Sequence, residues 1–157
     1  MHAVVLAIGN TLRGDDGVAA HVADLLGARS GMDVRRVHQL TPELAEEMAH
    51  ASAVVFVDAD PGATEARLER LVPAPQRSPL THSVTAGELV LLAEQLYGFQ
   101  GVAYLCHVPA ENFTEGDSLS EVAEAGARAA VDSVLALLVT GGEEDLKAAN
   151  KHDGVST

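Results

Sequence analysis

Residues 3–8, AVVLAI, form an unbroken apolar run that goes straight into Gly9-Asn10. A run this short, containing Val and Ile and closed by turn residues, suits a strand buried on both faces of a parallel sheet. A polar loop follows and ends in Gly14-Asp15-Asp16-Gly17. Val18, Val22, Leu25 and Leu26 then fall at helical spacing. The order is strand, tight loop, helix. Two carboxylates therefore sit where a strand ends and a helix begins, the edge at which open α/β sheets bind ligands.

The rest of the chain repeats this alternation. Residues 33–38 read as a second strand, less buried because of Arg35-Arg36. Thr41-Pro42-Glu43 reads as a helix start, with Thr as N-cap, Pro at the first helical position and an acid in the first turn, and the helix is expected to reach about residue 50. Residues 53–57 are apolar throughout, hence a central strand, and end in Asp58-Ala59-Asp60-Pro61-Gly62. Residues 66–72 roughly alternate apolar with charged, as a half-exposed edge strand does. Pro73, Pro75 and Pro79 make the following stretch an irregular loop. Thr85 and Glu88 have capping-box spacing and open a helix to about residue 97. Residues 101–108 form another buried strand, and 111–117 a polar loop. Ser118 and Glu121 have capping-box spacing before a long Ala-rich helix whose apolar stripe runs from Leu119 to Leu138. The expected architecture is a three-layer α/β/α sandwich with a mostly parallel, twisted sheet and one antiparallel edge strand. One domain is expected over residues 1–140, with 141–157 a polar, disordered tail.

The 157 residues fit a single domain. A net charge of −13 argues against nucleic acid or an anionic membrane as partner, since like charge repels phosphate. No apolar run approaches the ~18 residues of a transmembrane helix, and the N-terminus lacks the pattern of a signal peptide. One cysteine allows no intrachain disulfide and fits a reducing cytoplasm, the expected location.

Three polar residues share one topological address. Asp16 follows the first strand, Asp58 follows the third, and His82 precedes a helix that must start at the carboxyl edge of the sheet. Two carboxylates and an imidazole converging there can bind a divalent metal with open coordination positions. Each also has a plainer reading. Asp15 or Asp16 can cap the first helix, with Asp15 the better choice for that role. Asp58 can hold a turn through its side chain, and His82 can be an ordinary loop histidine. Asp60 is read as a turn residue. Residues 9–14 lack both the G-x-G-x-x-G spacing and a Walker lysine, and Asp15-Asp16 would repel an anion at that helix start. Cys106-His107 looks like a nucleophile and base, but strand neighbours point to opposite faces, so Cys106 is read as core.

AIGNTLRGDDGVAAHV resembles the opening signature of the hydrogenase maturation proteases, endopeptidases that trim the large subunit of nickel–iron hydrogenases. VVFVDAD resembles that family's second motif and LTHSVTAGELVLLAEQLYG its third, a His before a helix. Residues 108–122, with Phe113, Gly116 and Leu119-Ser120, are similar to its last shared stretch. The resemblance spans nearly all of residues 3–140. Carried over position by position, it makes Asp16, Asp58 and His82 the metal-contacting, catalytic residues. It implies that the substrate is a large-subunit precursor with nickel already inserted, and that a short C-terminal extension is removed after a basic residue. The nickel is then supplied by the substrate and serves in recognition, with zinc or another divalent metal as a substitute. Some relatives carry Glu where this chain has Asp16, and many carry a glycine-rich turn where it has His38-Gln39-Leu40-Thr41-Pro42. His38 is a candidate fourth contact, with a packing role preferred. Two other readings compete. One is a chaperone that checks for nickel by binding the loaded subunit without cutting it. The other is an α/β domain that binds a nucleotide or sugar phosphate.

Overall fold

The computed structural model describes residues 2–27, 31–75, 77 and 84–140. Five strands form one sheet: β1 (Ala3–Ile8), β2 (Met32–Val37), β3 (Ala53–Asp60), β4 (Arg67–Arg70) and β5 (Val102–Pro109). Their order is β2-β1-β3-β5-β4. The first four run parallel, and β4 pairs antiparallel with β5 at the edge. The helices among the described residues are α1 (Val18–Leu26), α2 (Leu44–Met48), α3 (Ala86–Tyr97) and α4 (Glu121–Thr140).

The central strands are apolar on both faces because helices cover both. Val5, Ala7, Val55, Val57, Tyr104 and Cys106 face α1 and α4, packing against Val22, Leu26, Ala127, Val134 and Leu137. Val4, Leu6, Val54, Phe56 and Ala103 point the other way, onto Leu44 and Met48 of α2 and Leu89 and Val90 of α3. The result is the expected three-layer sandwich with one antiparallel edge strand. No helix of the described residues is long and apolar enough to cross a membrane. Residues 141–157, the expected tail, lie outside the described residues.

Two helix starts differ from the sequence reading. α2 begins at Leu44, not at Thr41: Leu44 and Ala45 donate to the carbonyls of Thr41 and Pro42 at 3.1 and 3.0 Å, so the segment enters the helix through a tighter turn. α4 is capped by Ser120, not Ser118: the Ala123 amide donates to Ser120 Oγ at 3.1 Å. Ser118 is exposed. Ser120→Ala is therefore expected to cost about 1 kcal/mol or more of stability in urea unfolding, whereas Ser118→Ala stays within about 0.5 kcal/mol.

α3 starts as the sequence predicts. Thr85 Oγ1 accepts from the Glu88 amide at 3.1 Å, and Glu88 Oε1 accepts from the Thr85 amide at 2.8 Å, which completes a capping box. The buried Glu88 carboxylate also accepts from the Arg77 amide at 2.5 Å, which ties the preceding loop to the start of the helix.

The connection β1-α1-β2 packs on one face, and the next helix, α2, lies on the other before the chain returns as β3. β2 and β3 thus flank β1 on opposite sides. Chains leaving the carboxyl ends of β1 and β3 diverge there, and such a switch point opens a crevice at the sheet edge.

Candidate active site

Both acids from the sequence reading stand at this crevice. β1 pairs with β3 from Ala3–Ala53 to Ala7–Val57, and β3 then runs on alone beside β5. Asp58 is the first β3 residue beyond that pairing. Strand alternation puts it on the face of Phe56, away from Val57.

Asp16 arrives by a different route. β1 stops at Gly9, whose φ of +148° turns the chain. A single 3-10 turn, Gly14–Gly17, then leads into α1. The turn rests on Gly9 so closely that a Cβ there would lie 1.9 Å from the Asp16 carbonyl oxygen. The Asn10 amide donates to Asp16 Oδ2 at 2.9 Å, which orients the carboxylate without neutralising it. Asp16 is half-buried.

The two carboxylates feel each other. Burial is the main cause that pushes Asp58 from its ordinary 3.8 up to about 6, and the charges of Asp16 and Asp60 push the same way. The Ala59 amide and His107 oppose the shift. Paired acids with one pKa raised are a recurrent signature of functional sites, and their mutual repulsion favours a cation between them.

Asp15 does not cap α1, as the sequence suggested; no side-chain cap is present at the turn or the helix. Its side chain points away and is 0% exposed. It accepts from the amides of Glu111, Asn112 and Ser120 at 2.8, 2.9 and 2.8 Å, and from Ser120 Oγ at 2.7 Å. Burial pushes its pKa up, but these donors outweigh that, and the carboxyl is held below its ordinary value. Four donors make a buried anion tolerable where a single cap would not.

The turn role falls to Asp60: its Oδ1 accepts from the Gly62 amide at 2.8 Å. Cys106 is fully buried on the α1/α4 face, where burial pushes its thiol up to about 12, so it is no nucleophile. His38 is exposed rather than packed.

His107 is the residue that sequence reasoning passed over. It lies in register with Asp58 on the neighbouring strand, on the face opposite Cys106. Its Nδ1 is 3.1 Å from Asp60 Oδ2 and its Nε2 2.7 Å from Glu69 Oε1. The reading that His107 and Cys106 face apart was correct. What it lacked was the knowledge that β3 is the neighbour of β5.

His82 lies outside the described residues. Among the described residues no group of three or more His, Cys, Asp or Glu side chains is arranged to hold a metal ion. The described part of the site is thus a pair of oxygen donors, Asp16 and Asp58. Hard carboxylate oxygens on an open edge suit a divalent cation that has further ligands elsewhere.

No family model and no curated protein matches the chain. Solved structures do. The hydrogenase maturating endopeptidase HybD from E. coli superposes with a TM-score of 0.72 at 21% identity, covering 90% of this chain and 94% of that one. The [NiFe] hydrogenase maturation protease HycI from Thermococcus kodakarensis KOD1 gives 0.68 at 19% identity, covering 87% and 92%. HybD from Thermococcus kodakarensis gives 0.65 at 21% identity, covering 87% and 99%. At these identities the likeness establishes a shared fold over nearly the whole of each chain.

Proposed function

We propose that this chain is a hydrogenase maturation protease: an endopeptidase that removes the C-terminal extension from a nickel-loaded large-subunit precursor in the cytoplasm. One observation carries the reading. On a fold shared with solved endopeptidases of that name, Asp16 and Asp58 stand at the switch point of the sheet, near enough for the charge of one to raise the pKa of the other, and these are the positions that match the family's motifs.

In this reading the nickel ion is part of the substrate. Asp16, Asp58 and His82 would contact it and so fix the precursor's C-terminal segment against the sheet edge. Asp16 is aimed by the Asn10 amide, and Asp58 by its place on a rigid central strand. A bound metal polarises a carbonyl or a water for attack. The protein's part is to hold the cation and its attached peptide in one geometry. Asp16 accepts a neutral backbone amide, and the charges of Asp16 and Asp60 oppose ionisation of Asp58, so a cation at these carboxylates would relieve their repulsion. Zinc or another divalent metal can occupy the same donors.

The test is cleavage of a large-subunit precursor from the same source, nickel-loaded and nickel-free, with the C-terminus read by mass spectrometry. The expected result is loss of a short peptide from the loaded form alone, abolished by His82→Ala, Asp16→Ala and Asp58→Ala. Binding of the loaded precursor without cleavage would replace the enzyme with a chaperone that senses nickel.

A further inference from the structure

Two loops at the sheet edge are zipped together. The Gly14 amide donates to the Gly116 carbonyl at 2.8 Å, the Gly116 amide to the Leu12 carbonyl at 2.9 Å, and the Asp15 amide to the Asn112 carbonyl at 2.7 Å. Asp15 completes the join from within through its four bonds to Glu111, Asn112 and Ser120. The joined loops wall a cleft of about 470 Å³ lined by Asn10, Leu12, Arg13 and Glu115. The Asn10 amide holds Asp16, so this cleft abuts the proposed site.

Leu12 is 66% exposed. Its amide donates to Asn10 Oδ1 at 2.9 Å and its carbonyl accepts from Gly116. Both backbone groups of the residue are hydrogen-bonded, which holds its Cα at the wall of the cleft. A single exposed Leu is ordinary. This one lines a cleft that adjoins Asp16 through Asn10. Glu115 offsets the charge of Arg13 in the lining, and Asp16 lies next to it across the Asn10 amide, so nothing here selects an anion. An apolar side chain flanked by one cation, one anion and a carboxamide suits a polypeptide, and the volume falls in the range of small binding sites, ~300–1,000 Å³.

We propose that this cleft binds the substrate polypeptide beside the bond to be cut. Leu12 receives an apolar side chain of that segment, and Asp15 acts as a positioning residue that sets the cleft walls. The proposal rests on the proteolytic reading. Its test is steady-state cleavage of the nickel-loaded precursor by Leu12→Asp, Asp15→Asn, their double variant, and Leu96→Asp, a control at an exposed leucine near the end of α3.

The expected result is a KM raised about tenfold by Leu12→Asp, with kcat within about twofold and Tm unchanged. Leu96→Asp should leave KM unmoved. Asp15→Asn lowers Tm and also raises KM, and the double variant is no worse in KM than the more severe single, since both act on one cleft. Equal KM for Leu12→Asp and wild type overturns the cleft. A lower Tm for Asp15→Asn with KM unmoved, or additive KM effects, overturns the positioning role. If the wild type leaves the precursor intact, the proteolytic reading fails. The cleft is then judged by calorimetric binding of the same precursor, and equal affinity of wild type and Leu12→Asp overturns it.

Discussion

Asp58→Asn is expected to abolish cleavage and, at neutral pH, to make the protein more stable. The side chain keeps its shape and can still accept the Ala59 amide, but loses the charge. In the folded chain burial, Asp16 and Asp60 push Asp58 from 3.8 to about 6. Between those values the folded state holds a proton that the unfolded chain releases. Stability therefore falls as pH rises through that window, and at pH 7.5 an ionised Asp58 is carried at a cost. Solvent still reaches the carboxylate, which reduces that cost. A gain of about 1 kcal/mol would raise Tm by about 3 °C in a domain of this size. The gain should vanish below about pH 4, where the carboxyl is protonated in both states. Cleavage of the loaded precursor should drop at least a hundredfold, on the order of the largest losses seen when metal-orienting groups are removed. In the wild type it should weaken below about pH 6 as Asp58 takes up its proton. A melting series from pH 4 to 8 decides the matter. If Asp58→Asn gains nothing at pH 7.5, the carboxylate is not held at a cost, and its proximity to Asp16 carries no functional strain. A function that costs stability is the usual trade at active sites.

Gly9→Ala is the second large effect. Two separate penalties meet at this position. The φ of +148° is strained for any residue with a Cβ, and that Cβ would lie 1.9 Å from the Asp16 carbonyl oxygen. A backbone oxygen cannot step aside as a side chain can. The 3-10 turn must shift, and the Asn10–Asp16 hydrogen bond moves with it. A loss of about 3 kcal/mol or more is expected in urea unfolding, with cleavage lost even where the protein remains folded. Gly98→Ala is the control. Gly98 also has a positive φ, +71°, but open space around it, so only the conformational penalty of roughly 1–2 kcal/mol applies. Similar losses for both would mean that the turn does not lean on Gly9, and that Asp16 is placed by other contacts.

Much of this molecule was legible in one dimension. The apolar runs gave β1, β3 and β5, because a strand buried on both faces has no polar residue to spare. The alternation of residues 66–72 gave the edge strand, and Thr85 with Glu88 gave the start of α3. Asp58 follows a buried strand directly, and Asp16 lies in the loop after another, where parallel sheets leave their ligand edge, so topology alone places both at that edge. The Asp15 assignment failed for a physical reason. Its donors lie about a hundred residues away, and no local pattern announces a partner at that distance. Spacing to Glu121 points to Ser118 as the cap of α4, because a capping box is recognised by spacing. Ser120 won because Asp15 already held its amide and hydroxyl in place.

The kind and order of the elements follow from local patterns in the chain, since backbone hydrogen bonding and side-chain period act over a few neighbouring residues. Which strands become neighbours is settled by packing alone. The order β2-β1-β3-β5-β4 puts Asp58 beside the chain that leaves β1 and sets His107 in register with it. That choice comes from burying both faces of the central strands under four helices at once. It is a property of the whole packing and of no single stretch of chain.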